Sequence, residues 1–172
     1  MKRKRKDPGS ILTPRTKNPS LIGDTTEKVV VELMKSFDSV RDVRRDRYSS
    51  KFDVYYELEE ENVTRGLQIK TINQSSKNSY KINSLHKYDE GMLVVAINNP
   101  NFGLVHIITE SDKNDENVYI SFTRKEKSKY EKLVSMWPDF LTVLEKSLTK
   151  GTIVTPEIFK NSICPTQYME YQ

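Results

Sequence analysis

A single α/β or α+β domain built on a mixed β-sheet is predicted by three features of this 172-residue chain. Its length matches one domain of roughly 100–200 residues. Val, Ile, Leu and Phe make up 44 of the residues, about a quarter, above the roughly 20% below which disorder is the better reading. Its periodic segments run helix, strands, short helix, strands, helix, an order that suits helices flanking a central mixed sheet.

The first element is a helix. Val30, Leu33, Met34 and Phe37 fall at i, i+3, i+4 and i+7, one helical face. Asp24 followed three residues later by Glu27 fits a capping box that opens it. Residues 40–47 alternate weakly and suit a short strand. From Phe52 the alternation is clean, with Phe52, Val54, Tyr56 and Leu58 on one face and Asp53, Tyr55 and Glu57 on the other. A polar turn at 59–62 leads to a second strand at 63–72, making a hairpin. Residues 84–90 suit a short helix. The near-continuous apolar run 92–97 marks a strand buried on both faces. Further strands follow at 104–109 and 118–123. A helical pattern covers 129–148, with Pro138 splitting or kinking it and Tyr130 and Trp137 packing it. The expected division is a basic arm at 1–20, the folded domain at 21–150 and an irregular tail at 151–172.

Several classes are excluded. No apolar run approaches the ~18 residues of a membrane span, so no membrane partner is expected. One cysteine, Cys164, supports neither an internal disulfide nor a cysteine-based zinc site. His86 and His106 lie two elements apart with no third ligand near, which disfavours a histidine metal site.

The charge is unevenly placed. Residues 1–20 hold Lys2, Arg3, Lys4, Arg5, Lys6, Arg15 and Lys17 against Asp7 alone, a net of +6; the whole chain is +4, so the other 152 residues sum to −2. The run at 2–6 reads as a nucleic-acid arm or a nuclear import signal, with a solubilising end as the plain alternative. An intracellular location is expected: the nucleus if the run acts as an import signal, otherwise the cytoplasm or nucleoid.

The hairpin carries the chemistry. With a four-residue loop at 59–62, Leu58 faces Val63 and Asp53 lies opposite Gln68. Such neighbours share a face about 4.5–5.5 Å apart. Lys70, two residues on, points the same way. An acid, an amide oxygen and an ammonium group on one patch suit metal-assisted phosphodiester hydrolysis. Carboxylate and carbonyl oxygens, the Ile69 main-chain carbonyl among them, are hard ligands for Mg²⁺. The metal polarises the phosphate and acidifies a bound water, and the lysine stabilises the developing charge.

Glu27 on the first helix, Lys51-Phe52-Asp53, and Leu67-Gln68-Ile69-Lys70 together resemble the PD-(D/E)XK nuclease superfamily. The nearest subgroup holds archaeal Holliday-junction resolvases and Mrr-type restriction nucleases, and the resemblance covers about residues 22–110. It implies a restriction-endonuclease-like fold and a metal-dependent DNA endonuclease. Glu27, Asp53, Gln68 and Lys70 would be its catalytic set. Mg²⁺ (or Mn²⁺) would be held by Asp53, Gln68, the Ile69 carbonyl and Glu27. Gln68 stands where most members have Glu or Asp, and Phe52 where many have proline. DNA contacts are expected from Arg44, Arg45, Arg47, Lys77, Lys81, Lys87 and the arm, and a homodimer is implied by the need to cut two strands. The competing class is a binding module of the same fold with weakened metal binding, an alternative that Gln68 keeps open.

Overall fold

Helix α1 (Pro19–Lys35) opens the described part of the computed structural model, which comprises residues 19–45, 51–99 and 101–155. It begins five residues before Asp24, with a proline at its first position, where the ring's fixed φ and missing N–H do no harm. Asp24 and Glu27 therefore lie inside the helix and form no capping box; Asp24 pairs instead with Lys28 at 3.1 Å. Val30, Leu33 and Met34, together with Phe37 just past the helix, are buried as their spacing predicted.

Strands β1 (Val40–Arg45), β2 (Val54–Leu58) and β3 (Arg65–Thr71) follow, then a small hairpin of β4 (Asn73–Ser76) and β5 (Ser79–Asn83). A single 3-10 turn, Leu85–Lys87, stands where a short helix was expected. β6 (Leu93–Asn98), β7 (Phe102–Ile107) and β8 (Asn117–Ser121) come next. The chain then forms α2 (Lys129–Leu133), β9 (Val134–Met136), α3 (Asp139–Ser147) and β10 (Thr152–Ile153). The long helix expected at 129–148 is thus two short ones, with a strand between them ahead of Pro138. The tail expected to be irregular contributes β10 to the sheet.

The main sheet runs β1-β2-β3-β6-β7-β9, with β10 also on β3. It is mixed: β3 is antiparallel to β2 and parallel to β6. The fold is therefore α+β around a central mixed sheet, as the element order predicts. β6 is buried on both faces, as its apolar run predicts. Leu93, Val95 and Ile97 join the core under α1 and α3, while Met92, Val94 and Ala96 belong to a second core on the opposite face.

That second core is covered by a three-stranded sheet of order β4-β5-β8. Nothing in the polar segment 73–83 announced its first two strands. Among the described residues no helix is long and apolar enough to cross a membrane.

Register is what places the chemistry. β2 pairs with β3 as Val54–Leu67, Tyr55–Gly66 and Tyr56–Arg65, the alignment the hairpin arithmetic predicts. The loop is longer than four residues, since β3 starts only at Arg65. The ladder also stops at Val54: the Asp53 N–H donates to the Leu67 carbonyl at 3.0 Å, so Asp53 and Val54 both oppose Leu67 in the manner of a bulge. Asp53 is therefore not squarely opposite Gln68. The slip reverses Phe52, which leaves the face of Val54 and Tyr56 for the second core. There its ring lies on Gly66, where a Cβ would stand 2.7 Å from the ring carbons.

Candidate active site

Two threonines fix α1 against β3. The Thr26 hydroxyl donates to the Ile22 carbonyl at 2.9 Å, so the Thr71 hydroxyl, 2.7 Å away, must donate to Thr26. This pairing holds the next residue, Glu27, over a cleft of about 420 Å³. Gly23, Thr26 and Glu27 line it from α1, Lys70 and Thr71 from β3, and Asn73 and Asn83 from the small sheet.

Glu27 is an unusual carboxyl. Burial and the negative charge of Asp53 push its pKa up to about 7, with Asp24 adding to the rise. Arg45, whose Nη2 is 3.6 Å from Glu27 Oε1, opposes the shift without cancelling it. Two carboxyls close enough to repel, with one partial counter-cation, form a site that favours an added cation or proton.

Asp53 stands where β2 departs from β3, and its Oδ2 accepts the Ile69 N–H at 2.8 Å. In an extended strand the N–H and C=O of one residue point to the same side. The Ile69 carbonyl therefore also faces the Asp53 side rather than β6. Gln68 is 4% exposed, and its Nε2 donates to the Lys51 carbonyl at 2.6 Å. That bond commits the amide nitrogen and turns Oε1 away from Lys51. Lys70 Nζ lies 5.2 Å from the centre of the Tyr88 ring. Burial lowers the Lys70 pKa against the opposing pull of Asp53, and Lys87 lowers it further. Burial and Asp53 together raise that of Tyr88.

Asp53 is thus felt by Glu27, by Lys70 and by Tyr88. Glu27, Asp53, Gln68 and Lys70 gather where α1, the start of β2 and the middle of β3 meet. Among the described residues no group of three or more His, Cys, Asp or Glu side chains could hold a metal. A cation here would have two carboxylates, with Gln68 Oε1, the Ile69 carbonyl and water completing its shell. That donor set is all oxygen, as a hard divalent ion requires.

The expected DNA contacts divide. Arg45 is mostly covered: its side chain is 15% exposed and pairs with Asp24 at 2.6 Å as well as with Glu27. Arg44 is exposed and paired with Asp42 at 3.2 Å. Lys77 lies exposed in the turn between β4 and β5, Lys81 is on β5, and Lys87 is exposed near Lys70. Arg47, the arm residues Lys2, Arg3, Lys4, Arg5, Lys6, Arg15 and Lys17, and Cys164 lie outside the described residues. Tyr88, Asn73 and Asn83 were not anticipated. Their only sequence signal is that residues 62–88 contain no acid at all.

His106 belongs to a separate buried network. Its Nε2 is 2.8 Å from Asp112 Oδ2, and Asp112 also accepts from the Thr109 N–H, the Tyr130 hydroxyl and Lys129. Burial alone would raise the Asp112 pKa, but these donors together hold it far below the usual carboxylate range. The network ties β7 to α2 and accounts for His106 and Tyr130 structurally.

No protein-family model matches this chain, and no curated protein does. Among solved structures, it is similar to a bacterial homing endonuclease, I-Ssp6803I. The TM-score is 0.56 at 14% identity, covering 78% of this chain and 97% of that one. At that identity the likeness is one of fold.

Proposed function

We propose that this chain is a Mg²⁺-dependent DNA endonuclease of the PD-(D/E)XK type, with Mn²⁺ able to replace Mg²⁺. The observation that carries the reading is that Glu27 and Lys70 line one cleft, while Asp53, held on the N–H of the neighbouring Ile69, is electrostatically coupled to both. The fold shared with a homing endonuclease supports it. Asp53 and Glu27 would hold the ion through carboxylate oxygens, Gln68 through Oε1 and Ile69 through its carbonyl. When bound, Mg²⁺ supplies a Lewis acid that polarises the phosphate and acidifies a coordinated water.

The protein's own groups do the rest. Lys70 places a cation where negative charge builds on the attacked phosphate, a contribution made to the transition state more than to binding. Burial, which lowers the Lys70 pKa, also eases proton exchange at Nζ. Arg45 restrains Glu27 on the helix side, and Lys87 extends the positive field beyond Lys70. Cutting both strands of a duplex calls for two such sites, which a homodimer would provide.

Nicking of supercoiled plasmid by wild type and Lys70→Ala, with Mg²⁺, Mn²⁺ or chelator, tests this reading. Wild type should nick only with metal, and Lys70→Ala should lose about 100-fold or more of the rate while binding DNA within a few-fold. A Lys70→Ala protein that cuts as well as wild type removes the assignment. A wild type that binds DNA and never nicks belongs instead to the binding-module class, which the two-carboxylate site and the glutamine at 68 would then explain.

A further inference from the structure

We infer that the outer face of the small β4-β5-β8 sheet reads base edges in the groove of double-stranded DNA beside the cut. This rests on the nuclease reading and names how that site would choose its substrate.

The cross-strand register defines the face. Tyr80 pairs with Ile120 and Ile82 with Val118; Ile82, Val118 and Ile120 are buried in the second core, with Tyr80 packed against them. Side chains alternate along a strand, so the residues between them point outward. Asn73 pairs with Lys81, and Lys81 with Tyr119, forming one row across all three strands. Asn83 pairs with Asn117 in the next row of that face. Tyr119 is 51% exposed, although large aromatics are usually covered.

Position and charge identify what the face meets. Asn73 and Asn83 belong both to this face and to the cleft that holds Glu27 and Lys70. The surface is therefore continuous with the catalytic one. Asn73 is three residues beyond Lys70, about 10 Å along the chain, or about three base-pair steps. From residue 66 to 88 the chain carries Lys70, Lys77, Lys81 and Lys87 and no acid, which complements a phosphate backbone. The β4-β5 hairpin, two strands about 5 Å apart, is a ribbon of the size the ~12 Å major groove admits. Asparagine can bond both N6 and N7 of adenine, and lysine can reach O6 and N7 of guanine.

Selection from a pool of duplexes randomised at the centre, in metal-free buffer, tests the inference on the full-length protein. Wild type should enrich a defined sequence. Asn73→Ala/Asn83→Ala/Tyr119→Ala should melt within a few degrees of wild type, still retain duplex, and lose selectivity at positions about three base pairs from the cut. Lys81→Ala should lower the slope of log affinity against log salt by about 0.9 if its contact is to phosphate, or relax one base position if its contact is to guanine. A triple variant that enriches the same sequence as strongly as wild type overturns the inference alone. So does a wild type that retains duplex without enriching any sequence. A wild type that retains no duplex overturns both this inference and the DNA reading beneath it.

Discussion

The Ile69 N–H donates to Asp53 Oδ2 at 2.8 Å. Through this bond a side chain completes the hairpin where the backbone ladder ends, and the acid is held beside the main-chain carbonyl it would share a cation with. Structure and chemistry at Asp53 can therefore be separated by substitution. Asn keeps an acceptor for Ile69 but removes the charge; Ala removes both. Asp53→Asn should fold with wild-type stability while losing divalent-metal binding by calorimetry and all nicking. Asp53→Ala should in addition lose about 1–3 kcal/mol in denaturant melts, the cost of an unmet buried N–H. Equal metal binding by Asp53→Asn and wild type would place the metal elsewhere.

Arg45 separates two roles for a cation at this site. It pairs with Asp24 and Glu27 and is mostly covered, so Arg45→Gln should act on stability and on Glu27 rather than on DNA. The variant should melt lower at neutral pH. Its salt slope for DNA binding should match wild type, whereas a phosphate contact would lower it by about 0.9. A reduced slope with unchanged melting would restore Arg45 to the DNA interface.

How much of this was legible beforehand depends on the kind of signal each residue left. The hairpin register was readable because alternation in β2 and the polar turn fix pairing through the pleat, and Val54–Leu67 falls where expected. The convergence of Asp53 with Lys70 followed from it. The bulge at Asp53 was not readable, because it depends on Phe52 finding Gly66, a contact between strands that periodicity does not encode. The small sheet was missed for a related reason. Its first strand is exposed at all four positions, so it shows no apolar alternation. The start of α1 was misplaced because Asp24 and Glu27 resemble a cap, yet here they serve an ion pair with Arg45.

Glu27 makes stability depend on pH. Its pKa is raised from 4.5 to about 7 in the folded, metal-free protein, so between those values the folded state holds a proton that the unfolded chain releases. Stability therefore falls as pH rises through this window and levels off above about 7. The full effect is on the order of 3 kcal/mol. Glu27→Gln should flatten the dependence between pH 5 and 7 and, in chelator, melt above wild type at pH 8. Adding Mg²⁺ or Mn²⁺ at pH 8 should stabilise wild type more than the variant. Parallel melting curves for the two proteins across this range would show that Glu27 is not under electrostatic stress.

Gln68 gives the sharpest test, because its two amide atoms face different partners. Nε2 donates to the Lys51 carbonyl at 2.6 Å, and Oε1 is the atom proposed to meet the metal. Gln68→Glu preserves shape and adds charge for a cation, but it also turns a carboxylate oxygen toward the Lys51 carbonyl at a position only 4% exposed. Without metal the variant should be destabilised by about 1–3 kcal/mol, the cost of a lost buried bond, with more from the buried charge. A divalent ion binds the folded form and neutralises that charge, so saturating Mn²⁺ should return much of the loss by mass action. The expected signature is a metal-induced rise in melting temperature larger in Gln68→Glu than in wild type, with tighter Mn²⁺ binding by calorimetry. If Gln68 were only a packed strand residue, the variant would be destabilised equally with and without metal. Melting both proteins in chelator and in Mn²⁺ therefore separates a metal ligand from a buried amide whose whole role is to hold Lys51.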